Sequence, residues 1–387
     1  MVPEKILERL KNNREKYVEK IPVYEIASRL GKLSALWLRK DFSFRKRAVE
    51  KLLRRSFFTR QMSEALLDGL FRELTASGLL RLLKSELKDP LVLDGFRRDA
   101  LTGHEHRARG PELITHVFSG NVPNPAIISF NFGMLIKSAN VGKCSSEDEG
   151  FLDIYLDSLN DFDRKLGSSN FLVDPGDKKP LAAFIRSADL VVAYGSNETL
   201  SEIRKEAPVG VDFIGYGHRL SFAFYAKEAL QKKRLRELAR RAARDIWMMD
   251  QRGCLSPLVI YVEEGGKIPA GDFSLSLSEA LQKLDFHDER LFQLKNRLKI
   301  SRIRGGLVKS VKNAGSFLKI LESNRRFLQC VALEAPAEER EKIAGRLSAL
   351  GVNRLCRAGR MQFPPITWRH DGKANLANWL TWTDLES

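Results

Sequence analysis

Apolar residues in the first hundred positions recur on a helical period. Leu66, Leu67, Leu70, Phe71 and Leu74 form the clearest stripe, repeating at one, four, five and eight residues from the first, and they predict an amphipathic helix in a helical region that runs to about residue 108. From about residue 113 the texture changes to short apolar runs rich in β-branched residues, each followed by a turn and a helical stretch. The sharpest case is Leu190-Val191-Val192-Ala193-Tyr194, then Gly195-Ser196, then NETLSEIRKEA. Strand, turn and helix in that succession imply a parallel α/β sheet. Val211 to Ile214 reads as a further strand leading into GYGHRLSFAF, and a long basic helix is expected from about Tyr225 to Met249. Cys254, a strand over Pro257 to Glu263, and a last α/β stretch with FLQCVALEA and a helix over Ala337 to Leu350 complete the pattern. No internal repeat or low-complexity linker interrupts it.

A length of 387 residues predicts two or three domains. With 43% hydrophobic and 29% charged residues, the chain is neither disordered nor a disulfide-stapled miniprotein. The net charge of +16 favours phosphates, acidic proteins or anionic membranes without choosing among them. The first twenty residues carry charges from the fourth onward and offer no apolar stretch of the kind a signal peptide needs. Leu113 to Ile136 lacks Asp, Glu, Lys and Arg, but Pro123, Pro125, Asn121, Asn124, Asn131 and His116 exclude a membrane helix there. Cys144, Cys254, Cys330 and Cys356 stand 110, 76 and 26 residues apart, too far for a C-x-x-C pair, and a reducing cytoplasm is expected.

Three common chemistries find no support. Every Gly-Lys pair lacks the glycine five residues before its own glycine, which excludes a P-loop. Gly215-Tyr216-Gly217 ends in Leu220 rather than glycine and so fails the dinucleotide fingerprint of an ordinary Rossmann dehydrogenase. His104 and His106 flank Glu105 in GHEHRARG, a segment read as a solvated loop, and no metal is assigned. The informative segment is MMDQRGCLSPLVIYVEE. Its Gly, Ser and Pro place Cys254 on a tight loop between a helix and an apolar strand, where backbone N–H groups can face a substrate. The competing reading is a thiol that is simply buried.

Four motifs occur in order along the chain: SGNVPNP at 119–125, ANVGKCSSED at 139–148, VVAYGSNET at 191–199 and DQRGCLSP at 250–257. In order and spacing they resemble the aldehyde dehydrogenase superfamily, and more closely its acyl-CoA reductase branch, typified by the fatty acid reductase of bacterial luminescence. The C-terminal WRHDGKANLANWLTWTDLE is similar to that branch as well. The resemblance covers about residues 109–387 and implies an aldehyde dehydrogenase-like α/β fold. A helical region over 1–108, a Rossmann-like NADP-binding domain over 109–222, an α/β catalytic domain over 223–365 and a tail over 366–387 are expected.

The resemblance also implies roles. Cys254 matches the superfamily's catalytic thiol, and Asn121 the asparagine whose side-chain N–H meets the oxyanion beside the Cys254 amide. Lys143 matches the lysine that reaches the adenosine ribose, with an exposed loop lysine as the competing reading. Gly195 and Ser196 match the residues that open the helix beneath the pyrophosphate, with an ordinary strand-to-helix turn as the alternative. Ser146 stands where NAD-selective relatives carry a ribose-chelating glutamate, three residues after the lysine, so NADPH is the expected cofactor. The glutamate base of the hydrolytic enzymes has no counterpart, because FIGYGHRLSF holds no carboxylate. His218 stands nearby as a proton donor, or as a structural or cofactor-contacting residue.

Lys227 to Asp245 carries eight basic against three acidic residues, either a solvated helix face or a landing surface for CoA or an acidic acyl carrier protein. The reading as a whole is NADPH-dependent reduction of a fatty acyl thioester to an aldehyde through an acyl-cysteine. The acyl donor is acyl-CoA or an acyl carrier or acyl-transferring protein, and a homo-oligomer is expected. An acyl phosphate reductase of the same superfamily and a basic nucleic-acid-binding protein are the alternatives.

Overall fold

The computed structural model describes residues 3–55, 58–120, 123–145, 150–174, 179–284 and 307–386. The chain divides into two compact units, one made of Met1–Leu52, Glu64–Gly217 and Pro365–Ser387, the other of Leu53–Ser63 and His218–Pro364.

The N-terminal helices, in the first unit but for the residues within Leu53–Ser63, are α1 (Pro3–Asn13), α2 (Val23–Leu38), α3 (Ser43–Leu53), α4 (Arg60–Glu73) and α5 (Ala76–Leu87). The expected stripe lies on α4 and just beyond it, and Leu66, Leu67, Leu70, Phe71 and Leu74 are all buried. Around it Trp37 stacks on Phe71 at 4.6 Å and donates its indole N–H to Ser158 at 2.9 Å, which satisfies the one polar atom that burial would otherwise strand.

Two short strands, β1 (Arg97–Arg98) and β2 (Glu105–Arg109), precede a parallel sheet. That sheet and its crossovers comprise β3 (Leu113–Val117), α6 (Asn124–Leu135), β4 (Ala139–Lys143), α7 (Phe151–Phe162), α8 (Arg164–Gly167), β5 (Asn170–Val173), α9 (Lys179–Ser187), β6 (Leu190–Tyr194), α10 (Asn197–Glu206) and β7 (Asp212–Tyr216). The strand order is β5-β4-β3-β6-β7, so the direction of winding reverses between β3 and β6. Leu190–Tyr194 is a strand as its apolar run predicts. The strand expected at Val211 to Ile214 begins one residue later and runs on to Tyr216, because it pairs with β6 through that residue.

The second unit repeats the architecture with β8 (Leu220–Tyr225), α11 (Leu235–Trp247), β9 (Pro257–Glu263), α12 (Ala270–Lys283), β10 (Val308–Val311), α13 (Ala314–Glu322), β11 (Leu328–Glu334), α14 (Ala337–Ala349) and β12 (Arg354–Cys356). All its pairings are parallel, in the order β10-β9-β8-β11-β12. Its core joins Phe224, Phe317, Leu333 and Leu347 from strands and flanking helices.

Two expectations are corrected here. The basic helix does not begin near Tyr225. That residue ends β8, the chain turns through 226–231, and α11 starts only at Leu235, where buried Leu238, Ala239, Ala242, Ala243 and Ile246 supply the helical stripe. His106 is not on a solvated loop either, whereas His104 does lie in the loop before β2, half-buried. His106 belongs to β2, which pairs with β13 (Thr381–Leu385), and its Nδ1 lies 2.6 Å from Asp384. No local signal announces a partner 278 residues away. The stretch from Leu113 to Ile136 forms a strand and a helix, and no helix among the described residues is long and apolar enough to cross a membrane.

Candidate active site

The chain leaves α11 at Trp247 and reverses into β9 at Pro257. To make that turn Met249, Asp250 and Gln251 take φ of 57°, 48° and 58°, three consecutive side chains in the left-handed region. Each costs roughly 1–2 kcal/mol relative to ordinary backbone and persists only where surrounding structure holds it. Here the Arg252 amide donates to the Met249 carbonyl at 2.9 Å, the Ser256 amide donates to the Gly253 carbonyl at 2.9 Å, and Gln251 Nε2 donates to the Pro257 carbonyl at 3.0 Å. The result is a tight turn with Cys254 on its outside. Cys254 is exposed while Cys144, Cys330 and Cys356 are buried, so the reading of Cys254 as a core thiol is corrected.

A second layer holds the turn from below. The Ser221 hydroxyl of β8 donates to the Cys254 carbonyl at 2.7 Å. Gln362 Nε2 donates both to Ser256 Oγ at 2.7 Å and to the Asp245 carbonyl at 3.0 Å. The Asp245 carboxylate in turn accepts the amides of Gly359 at 2.5 Å and Met361 at 2.9 Å. Burial pushes the Asp245 carboxyl up to about 7, against the opposing pull of those two amides. Sequence reasoning missed Ser221, Asp245, Ser256 and Gln362, which come from four separate segments. The one available signal is Asp245 itself, an acid on the apolar face of an otherwise basic helix.

His218 is exposed and precedes β8, its ring 6.3 Å from that of Phe327. Because Ser221 is the register partner of Pro257, the loops carrying His218 and Cys254 leave the same edge of the second sheet.

In the first unit Lys143 closes β4. It is 8% exposed and its ammonium donates to the Asp174 carbonyl at 3.3 Å, which corrects the reading of an exposed loop lysine. Gly195 ends the β6 turn, and Ser196 caps α10 by accepting the Thr199 amide at 3.2 Å. The residues here fit a dinucleotide. A Cβ at Gly217 would stand 2.8 Å from Asn197 Oδ1, and one at Gly195 3.2 Å from Thr199 Cγ2, so the approach to the first turn of α10 is kept clear by two glycines. Asn121 and Ser146 lie outside the described residues.

The tail motif is bound into the first unit. Glu86 of α5 accepts the amides of Asn375, Leu376 and Ala377 at 2.6–3.0 Å, and His370 stacks on Tyr216 at 4.3 Å. Burial pushes the Tyr216 hydroxyl well above its ordinary range, assisted by Asp371 and Glu86.

Solved structures with this fold include a succinic semialdehyde dehydrogenase from Streptococcus pyogenes in complex with NADP+ (TM-score 0.73, 11% identity, 99% of this chain and 94% of that one). An acetylating aldehyde dehydrogenase from Geobacillus thermoglucosidasius matches with TM-score 0.70 at 11% identity, over 100% and 96% of the two chains. The fold is therefore aldehyde dehydrogenase-like. Among curated relatives, a long-chain acyl-protein thioester reductase of Photorhabdus laumondii subsp. laumondii is 23% identical over 95% of this chain and 83% of its own. The enzyme of the same description from Photorhabdus luminescens is 24% identical over 62% of this chain, an alignment that spans half of that relative's length. The sequence model of the acyl-CoA reductase (LuxC) family matches residues 18–287 and 301–382, and the chain belongs to that family.

Proposed function

We propose that this protein reduces a fatty acyl thioester to an aldehyde with NADPH, through an acyl-Cys254 intermediate. The observation that carries this reading is the exposed Cys254 on a strained, buttressed turn, while the other three cysteines are buried. Strain of this kind collects where a side chain must be held out for chemistry. The acyl-protein thioester reductases among its relatives support the substrate class.

The Cys254 thiolate attacks the acyl carbonyl, and the Asn121 side chain with the Cys254 backbone N–H holds the resulting oxyanion. The thiol of CoA or of a carrier protein departs, leaving the acyl group as a thioester on Cys254. NADPH, when bound, supplies the hydride that reduces this thioester. Lys143, Gly195 and Ser196 would hold its adenosine and pyrophosphate end, and Ser146 brings no negative charge to repel a 2′-phosphate. The reduced adduct on Cys254 is a thiohemiacetal, and its collapse frees the aldehyde and restores the thiolate. His218 is assigned to proton transfer at the oxygen of that adduct. A cytoplasmic homo-oligomer that takes acyl-CoA or an acyl-transferring protein as donor completes the proposal.

Intact mass spectrometry after incubation with a panel of acyl-CoAs tests it. The expected result is one acyl adduct on wild type and none on Cys254→Ala. Turnover of acyl phosphates in preference to acyl-CoA would move the assignment to the acyl phosphate reductases.

A further inference from the structure

In the second sheet β8 and β11 are neighbours, β9 and β10 extend outward from β8, and β12 extends outward from β11. The crevice at the carboxyl ends of β8 and β11 is therefore a topological switch point, where open α/β sheets bind ligands. A cavity of about 380 Å³ opens there. Its base is Glu334, the register partner of Tyr225 at the end of β8, with Ala335 beside it. Cys254 precedes β9 at the amino edge, and β9 is seven residues long. At about 3.3 Å per residue the cavity and the thiol lie roughly 20 Å apart, at opposite ends of the strands.

Three guanidinium groups line this cavity: Arg234, Arg241 and Arg357. Two are held from behind by carboxylates. Glu237 accepts Nε of Arg241 at 2.8 Å, which leaves both terminal nitrogens of that side chain to point elsewhere. Glu334 accepts Nη1 of Arg357 at 3.1 Å and the Ala358 amide at 2.9 Å, so its charge is committed and Nη2 of Arg357 remains. Arg234 makes no ion pair among the described residues, and Lys232, Lys233, Arg236 and Arg240 stand exposed around it. The first turns of α11 and α14 meet the same cavity, and neither Arg234 nor Pro336 caps its helix with a side chain. Glu228, the third carboxylate of the lining, is exposed and lies 3.8 Å from the Lys227 ammonium, so each lining carboxylate has a cation of its own and Arg234 is left without one. A tetrahedral dianion satisfies such a set, since guanidinium forks bind phosphate oxygens in pairs.

We propose that the switch-point cavity of the second unit is a phosphate-binding site, distinct from the thiol site, in which Arg234, Arg241 and Arg357 receive the dianion. Inorganic phosphate and the phosphate of a small phosphomonoester share this chemistry. Calorimetric titration of the full chain with inorganic phosphate, and separately with glycerol 3-phosphate, distinguishes the two sources. Wild type is expected to bind one of these probes at this site, and Arg234→Ala and Arg357→Lys to weaken that binding about tenfold or more, as loss of a hydrogen bond to a charged group requires. Lys319→Ala, at an exposed position of α13, is the matched control and should leave it unchanged. Arg234 is exposed and makes no ion pair among the described residues, so Arg234→Ala folds as wild type and decides the matter even if Arg357→Lys does not. No binding to wild type, or binding that both arginine variants retain in full, overturns the proposal. Because neither probe carries a thioester or a nicotinamide, the outcome is independent of the acyl-reductase reading.

Discussion

The hydroxyl of Ser221 donates to the carbonyl oxygen of Cys254 at 2.7 Å, tying the exposed thiol's turn to the first residues of β8. β8 thereby steadies the backbone of the turn that carries Cys254. Ser221→Ala leaves the Cys254 carbonyl without this donor. Such a hydrogen bond contributes about 0.5–1.5 kcal/mol, and a lower thermal midpoint by differential scanning fluorimetry, with reduced kcat and little change in KM, is the expected outcome.

Replacing Cys254 by alanine should lower thioester reduction by more than about 1000-fold, because the acyl group then has no covalent carrier. Cys144→Ala, Cys330→Ala and Cys356→Ala remove buried sulfurs and should retain most activity. Steady-state rates for the four variants side by side provide the check, and substantial turnover by Cys254→Ala would remove the mechanism.

An acyl-enzyme formed without NADPH should be long-lived. A positioned general base is worth about 100- to 10000-fold, and no carboxylate lies between Phe213 and Phe224 to act as one. Radiolabelled acyl-enzyme, isolated and chased with and without NADPH, should release aldehyde in the first case and persist in the second. Fast release of free fatty acid in the cofactor-free sample would point to His218 as a base.

A cofactor preference is expected from Ser146 on the proposed reading. Without a glutamate at that position to repel a 2′-phosphate, kcat/KM should be higher with NADPH than with NADH. Comparison of the two cofactors at fixed acyl-CoA measures this, and introducing the carboxylate by Ser146→Glu should shift preference toward NADH. Equal efficiency in wild type would count against the assignment.

The Asp245 carboxyl gives a pH signature. Its folded value of about 7 lies above the ordinary carboxylate value of 3.8, so the folded chain holds this proton more tightly than the unfolded chain does. The stability it contributes is full below about pH 4 and is lost as pH rises toward 7, with a slope of at most about 1.4 kcal/mol per unit. Asp245→Asn should flatten that part of a denaturation series run across pH. An unchanged profile would mean that the two backbone amides outweigh burial.

Gln362→Leu tests the support beneath the turn. It would leave the buried hydroxyl of Ser256 and the carbonyl of Asp245 without their donor, a loss of about 1–3 kcal/mol. The rate of Cys254 alkylation by iodoacetamide as a function of pH should change together with stability, since the turn that presents the thiol is no longer fixed. A stability loss with unaltered alkylation would assign Gln362 to packing alone.

Much of this protein is written locally. The stripe of Leu66, Leu67, Leu70, Phe71 and Leu74 determines an amphipathic helix, because burial every third or fourth residue is a property of the segment itself. The run Leu190–Tyr194 followed by Gly195-Ser196 determines a strand, a turn and a capped helix for the same reason, and MMDQRGCLSP marks the turn that presents Cys254. Other features depend on partners far along the chain. Tyr225 ends a strand rather than opening a helix because β9 and β11 pair on either side of it, and His106 is a strand residue because Asp384 lies across from it. The support of Cys254 by Ser221, Asp245 and Gln362 likewise appears only on folding. Hydrogen bonds between distant segments leave no periodicity in either segment, so only the tertiary structure decides which polar side chains meet.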